Sequence, residues 1–139
     1  MAIQYSTVLR TDQVAQIQTR VATAGGTALL KLFSGTVTAN CAAADPTGVL
    51  CTINLPTTFL SSSSGATSIV GTWSQASASG AGLPGSAASF RVYDSTGTCH
   101  VQGTVTATGL GGDLTLNNTS IAAGQTVSIT AATFTAGNA

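Results

Sequence analysis

The sequence predicts an all-β fold, a sandwich or barrel, preceded by one short N-terminal helix. Three observations carry this expectation. Past Gly26, short runs rich in Val, Ile, Thr, Phe and Tyr alternate with clusters of Gly, Asn, Asp, Ser and Pro. Only the stretch from Val8 to Val21 places apolar residues at helical spacing. Charge is scarce, with only eight Asp, Glu, Lys and Arg among 139 residues, against about a quarter of an ordinary soluble domain. Ser, Thr, Ala and Gly fill more than half of the chain instead. Threonine suits a strand, so replacing outward-facing lysine with it costs no local structure.

The helix rests on Val14, Ile17 and Val21, with Leu9 and Ala15 loosely on the same side. Ser6 or Thr7 can cap it, Asp12 lies in its early part, and Gly25-Gly26 ends it. Strands are expected near residues 28–34, 49–55, 66–74, 87–93, 98–107, 113–117 and 125–135. Two of them alternate clearly. Phe90 and Val92 face one way while Arg91 and Tyr93 face the other, and Val127 and Ile129 share an inward face. Asp94-Ser95-Thr96-Gly97 reads as a hairpin loop, Asp45-Pro46-Thr47-Gly48 as a β-turn and Gly109 to Asp113 as another turn. Asn117-Asn118 and Ala123-Gly124-Gln125 are turns of the same kind. The serine run from Ser61 to Gly65 and the segment from Ser77 to Gly85 lack core-building side chains and read as surface loops.

This length suits one β domain, residues 27–139, with residues 1–26 as an N-terminal arm and helix. Apolar residues make up 43% of the chain, but many are alanine, so a thin core is expected and self-association would enlarge it. Net charge is zero and the four basic residues are dispersed, which argues against nucleic acid and against acidic lipid surfaces. No apolar run approaches the length of a membrane span. The N-terminal MAIQYSTVLRTDQ has no basic region leading into an apolar one, so synthesis in the cytoplasm without a secretory signal is expected.

Groups suited to catalysis are few, and the expectation is that the protein is not an enzyme. The one histidine, His100, adjoins Cys99, but neighbours in a strand point to opposite faces and make a poor nucleophile–base pair. Cys41, Cys51, Cys99 and His100 lack the close ligand spacing of a zinc site. Asp45, Asp94 and Asp113 sit in turns, where a carboxylate caps local backbone N–H groups. The glycines form no phosphate loop. No catalytic, cofactor-binding or metal-ligating residue is assigned, and no cofactor or small-molecule substrate is expected. Three cysteines exclude a fully paired framework. Cys41 and Cys51 bracket a loop that a disulfide could close, although synthesis in a reducing compartment argues against it. Cys99 reads more simply as a small buried side chain. Trp73, the single tryptophan, reads as a core or interface anchor, with the core favoured by its place in a strand.

An ordered series of motifs carries a resemblance. It comprises Leu32-Phe33-Ser34-Gly35, Ala39-Asn40-Cys41-Ala42-Ala43, Gly71-Thr72-Trp73, Phe90-Arg91-Val92-Tyr93-Asp94-Ser95 and Thr98-Cys99-His100-Val101-Gln102-Gly103. It continues through Gly112-Asp113-Leu114-Thr115-Leu116-Asn117-Asn118-Thr119-Ser120-Ile121 to Gly124-Gln125-Thr126-Val127. From about Leu29 onward the chain resembles a family of small capsid decoration, or cement, proteins of tailed bacteriophages, such as that of a Bordetella phage. The resemblance implies a jelly-roll-like β domain on the outer surface of the virion capsid. It implies a homodimer that contacts the major capsid protein, and synthesis in a bacterial host cytoplasm. It carries over no catalytic or ligand residues. A phage tail or fibre module, structural or glycan-binding, is the alternative that the Ser/Thr/Gly-rich β composition leaves open.

Overall fold

The computed structural model describes residues 3–23, 25–76 and 85–136. Ser6 starts the helix α1 (Thr7–Ala22) by accepting a hydrogen bond from Leu9 N at 3.2 Å, so Ser6 rather than Thr7 is the cap. Asp12 falls beyond the first turn, while Arg20 lies in the last turn, where the helix dipole favours a cation. Val14 and Val21 are buried and Ile17 packs against the core, as their spacing requires. Thr23 N closes the helix onto Thr19 O, and Gly25 follows with φ +72°.

Eleven strands follow among the described residues. They are β1 (Leu29–Phe33), β2 (Val49–Asn54), β3 (Leu60–Ser63), β4 (Ala66–Ile69), β5 (Ser74–Ala76), β6 (Gly85–Ser86) and β7 (Ser89–Tyr93). The rest are β8 (Cys99–Ala107), β9 (Leu114–Leu116), β10 (Ser120–Ile121) and β11 (Thr126–Ala132). Seven strands form one sheet in the order β2-β1-β7-β8-β9-β11-β5. Every neighbouring pair is antiparallel except β8 and β9. The two end strands approach each other, and the Cys51 thiol of β2 reaches Gln75 O of β5 at 3.8 Å. The sheet therefore nearly closes on itself, giving a mostly β, jelly-roll-like body with one helix.

Its interior holds Leu30 and Leu32 of β1, Ile53 of β2, Phe90 and Val92 of β7, and Leu114 and Leu116 of β9. Trp73 belongs to this core, 5.9 Å from Phe59 between ring centroids, and its indole N–H is satisfied by Val70 O at 3.2 Å.

Two expected boundaries differ. The serine run is no loop: β3 and β4 form a hairpin through Ser64 and Gly65, which have φ 53° and 77°. Two consecutive positive φ values match the twist of paired strands. Periodicity could not show this hairpin, because α1 supplies much of its support through polar groups. Gln18 Oε1 accepts from Phe59 N and Leu60 N at 2.9 and 2.8 Å, and Thr11 Oγ1 accepts from Gly65 N at 2.9 Å. The helix thus docks on its own body. The strand expected over 66–74 is interrupted at Gly71, φ +74°, and resumes as β5. The short strands β6 and β10 pair with each other and were not expected. The loop expected over 77–85 lies outside the described residues apart from Gly85.

The turn at Gly109 to Asp113 does more than reverse the chain. It returns β9 alongside β8 in parallel, with Leu114 level with Val105. Gly112 N donates to Thr106 Oγ1 at 2.9 Å, and a Cβ at Gly112 would meet that oxygen at 2.6 Å. Only glycine permits so close an approach.

Candidate functional site

Strand β7 is buried at all five positions, because it is covered on both faces. Phe90 and Val92 face the core. Ser89, Arg91 and Tyr93 lie beneath the connection between β1 and β2, residues 34–48. Backbone bonds close the foot of this connection, Ser34 N to Gly48 O at 2.9 Å and Gly35 N to Thr47 O at 3.0 Å. Ser89 Oγ donates to Gly35 O at 2.5 Å.

Arg91 is the strap's main anchor. Its side chain is 2% exposed, and its two terminal nitrogens reach four points on the connection. One donates to Ala43 O at 3.0 Å and to Asp45 Oδ1 at 2.9 Å. The other donates to Asn40 O at 3.0 Å and to Thr38 Oγ1. A planar guanidinium suits such a fan of acceptors, and a buried charge requires it. Asn40 Oδ1 accepts from Ala42 N and Ala43 N, both at 2.9 Å, which holds the arch in shape. Gln102 of β8 adds a further tie, donating to Thr38 O at 2.7 Å.

Asp45 gathers the remaining charge. Tyr93 Oη donates to its Oδ1 at 2.6 Å, and Lys31 Nζ lies 3.6 Å from its Oδ2. The same ammonium sits 4.6 Å from the centre of the Tyr93 ring. Burial opposes ionisation of Asp45, but the Tyr93 hydrogen bond and the charges of Lys31 and Arg91 outweigh it and hold the carboxyl below its ordinary value. Burial, together with the Asp45 carboxylate, pushes the Tyr93 hydroxyl well above its ordinary value. The role expected for Asp45, a cap within its own turn, is corrected: it ties the connection to β7. Asp113 is corrected likewise. Its Oδ2 accepts from Thr104 N and Oγ1 at 2.9 and 2.8 Å, nine positions away. Asp94 keeps the expected local role, accepting from Thr96 N at 2.9 Å and Thr98 N at 3.0 Å.

His100 turns to Asp94, with Nε2 2.9 Å from Oδ2. The hydrogen bond from His100 holds the Asp94 carboxyl far below the ordinary carboxylate range, and those from Thr96 and Thr98 add to it. Cys99 is level with Tyr93, and the register slips between Val92 and Tyr93. Its thiol faces the connection, where it meets Cys41. Cys51 points to the core, level with Leu32, and burial pushes its thiol up to about 11. All three cysteines are free, and Cys41 and Cys51 lie on opposite faces of the sheet, so the linkage allowed by their spacing is absent. Among the described residues, no three His, Cys, Asp or Glu side chains gather as a metal site. A hollow of about 390 Å³ lies between the end of α1 and the end of β2, and Phe59, Leu55 and Pro56 are among its lining residues. It contains no titratable side chain.

A different surface stands out by its chemistry. Ile3, Tyr5, Val8 and Leu9 are exposed on the arm and first turn of α1, with Ile3 and Val8 at 70% and 72%. The helix buries its opposite stripe against its own body, so this apolar group faces outward. Leu9, whose spacing places it loosely on the side of Val14, Ile17 and Val21, is 45% exposed. No protein-family model, curated protein or solved structure matches this chain.

Proposed function

We propose that this chain is a structural virion protein that binds the outside of a phage head and stabilises the lattice of the major capsid protein. The observation that carries the reading is the exposed apolar group Ile3, Tyr5, Val8 and Leu9, on the arm and first turn of a helix that is itself fixed to a β body. Exposed apolar side chains clustered on one element suit a docking contact. The chain as a whole is poor in charge, and three of its eight charged residues, Lys31, Asp45 and Arg91, are spent holding the strap. Low charge limits repulsion among crowded copies and makes attachment insensitive to salt. Repetition of the same weak contact over a lattice supplies avidity. The resemblance of the motif series to phage decoration proteins points the same way, and it adds a homodimer as the attaching unit.

The test mixes purified protein with empty shells of the major capsid protein of the same phage. Stoichiometric co-sedimentation and a higher shell disruption temperature are expected, with little change between 50 mM and 500 mM salt. Absence of binding, or binding with no gain in shell stability, overturns the reading. Binding to isolated tails instead would establish the tail alternative.

A further inference from the structure

The structure assigns Cys41 and Cys99 as a latent disulfide pair that, once oxidised, staples the 34–48 connection to β8. The two thiols are brought together by the sheet register and by the strap. Cys99 stands level with Tyr93 on the face that the connection covers. Cys41 lies in the arch between Asn40 and Ala43, and Arg91 holds the carbonyls of both those residues at 3.0 Å. The Cys99 thiol, which contacts Val101 O at 3.5 Å, is close enough to the Cys41 side chain for the two to interact. Closing to a bond of roughly 2 Å requires movement only of a surface connection, not of the sheet. Cys51 cannot compete, because it is buried in the core and the sheet lies between it and Cys41.

The chemistry is thiol–disulfide exchange with a low-molecular-weight disulfide such as oxidised glutathione. One protein thiolate attacks the small disulfide, forms a mixed disulfide and releases one small thiolate. The second protein thiolate then displaces the other small thiolate and completes the bond. Two protein thiols become one disulfide, and one small disulfide becomes two small thiols. Burial and the neighbouring Cys41 raise the Cys99 thiol to about 12, while the Arg91 charge opposes the rise. The thiolate is the attacking form, so closure speeds up in mild alkali. The staple encloses residues 41–99, a long span whose closure restricts the unfolded chain. The pairing stands on this geometry alone; only its timing, after release from a reducing cytoplasm into oxidising surroundings, rests on the virion reading.

The experiment treats the purified chain with oxidised glutathione at pH 8.5, then blocks remaining thiols with N-ethylmaleimide in denaturant. The expected product is a monomeric chain lighter by two hydrogens before blocking, with Cys51 alone alkylated and a Cys41–Cys99 peptide in the non-reducing digest. Its melting temperature should exceed that of the reduced protein by several degrees. Cys51→Ser should behave identically, whereas Cys41→Ser and Cys99→Ser should retain reduced-state melting and show no intrachain bond. A Cys41–Cys51 linkage, an interchain dimer, or stable glutathione adducts on both Cys41 and Cys99 would overturn the assignment. None of these outcomes bears on shell binding, so the two proposals fail separately.

Discussion

Phe90 and Arg91 are adjacent, equally buried, and held by different physics. Phe90 belongs to the inner face of the sheet with Leu32, Val92 and Leu114, where burial from water supplies the stability. Arg91 belongs to the outer face, where a polar connection is bound by directed hydrogen bonds to its guanidinium. The inner face tolerates any well-packed apolar set. The outer face depends on one side chain satisfying two loop carbonyls, a carboxylate and a hydroxyl at once, and Ala43 O gives up its Arg91 donor if that side chain is lost. A chain poor in charge thus places a charge where hydrophobic contact is unavailable.

This contrast can be broken by experiment. The largest effect is expected at Phe90→Ala, which should cost about 3–5 kcal/mol in chemical denaturation, through the cavity it leaves in the core. Amide exchange should then accelerate throughout the sheet. Arg91→Met should cost about 3 kcal/mol, because the acceptors on the connection lose their buried partner. Here exchange should accelerate first over residues 36–47, with α1 and the β3–β4 hairpin little changed. Uniform loosening in both variants would erase the distinction between the faces. Asp45→Asn should cost only about 1 kcal/mol, since the Asp45 side chain is 40% exposed and the carbonyl partners of Arg91 remain.

The smallest expected effect is the pH dependence. Asp45 and Asp94 are both held below their ordinary values in the folded protein. Their stabilising contribution is fully present above the unfolded carboxylate value of about 4. It is lost as pH falls through the lower folded values, because the unfolded chain takes up protons first. The melting temperature should stay level between pH 7 and pH 5 and drop below about pH 4. Asp45→Asn should make that drop shallower. A drop of undiminished size would place the acid sensitivity elsewhere than in the strap.

The inner face was legible in the sequence and the outer one was not. Alternation in Ser89 to Tyr93 separates Phe90 and Val92 from Arg91 and Tyr93, and the structure keeps that separation. Nothing in the pattern says that Arg91 is covered, because two of the four acceptors that cover it are backbone carbonyls, which every residue carries. Asp45 in a Pro-containing turn resembles a local cap for the same reason. The Ser61–Ser63 strand was hidden because helix side chains, Gln18 and Thr11, support its hairpin. The meeting of Cys41 with Cys99 depends on that covered face, so spacing pointed to Cys51 instead. The apolar arm at Ile3, Tyr5, Val8 and Leu9 left only a partial signal, in that Val8 lies off the Val14–Ile17–Val21 stripe.

The most direct measurement of the proposed virion role is a density map of the assembled phage particle, with this chain fitted as a rigid body. Copies repeated over the outer face of the head are expected, with Val8 and Leu9 against the major capsid protein. Density for the chain on the tail, or its absence from the particle, would contradict that role.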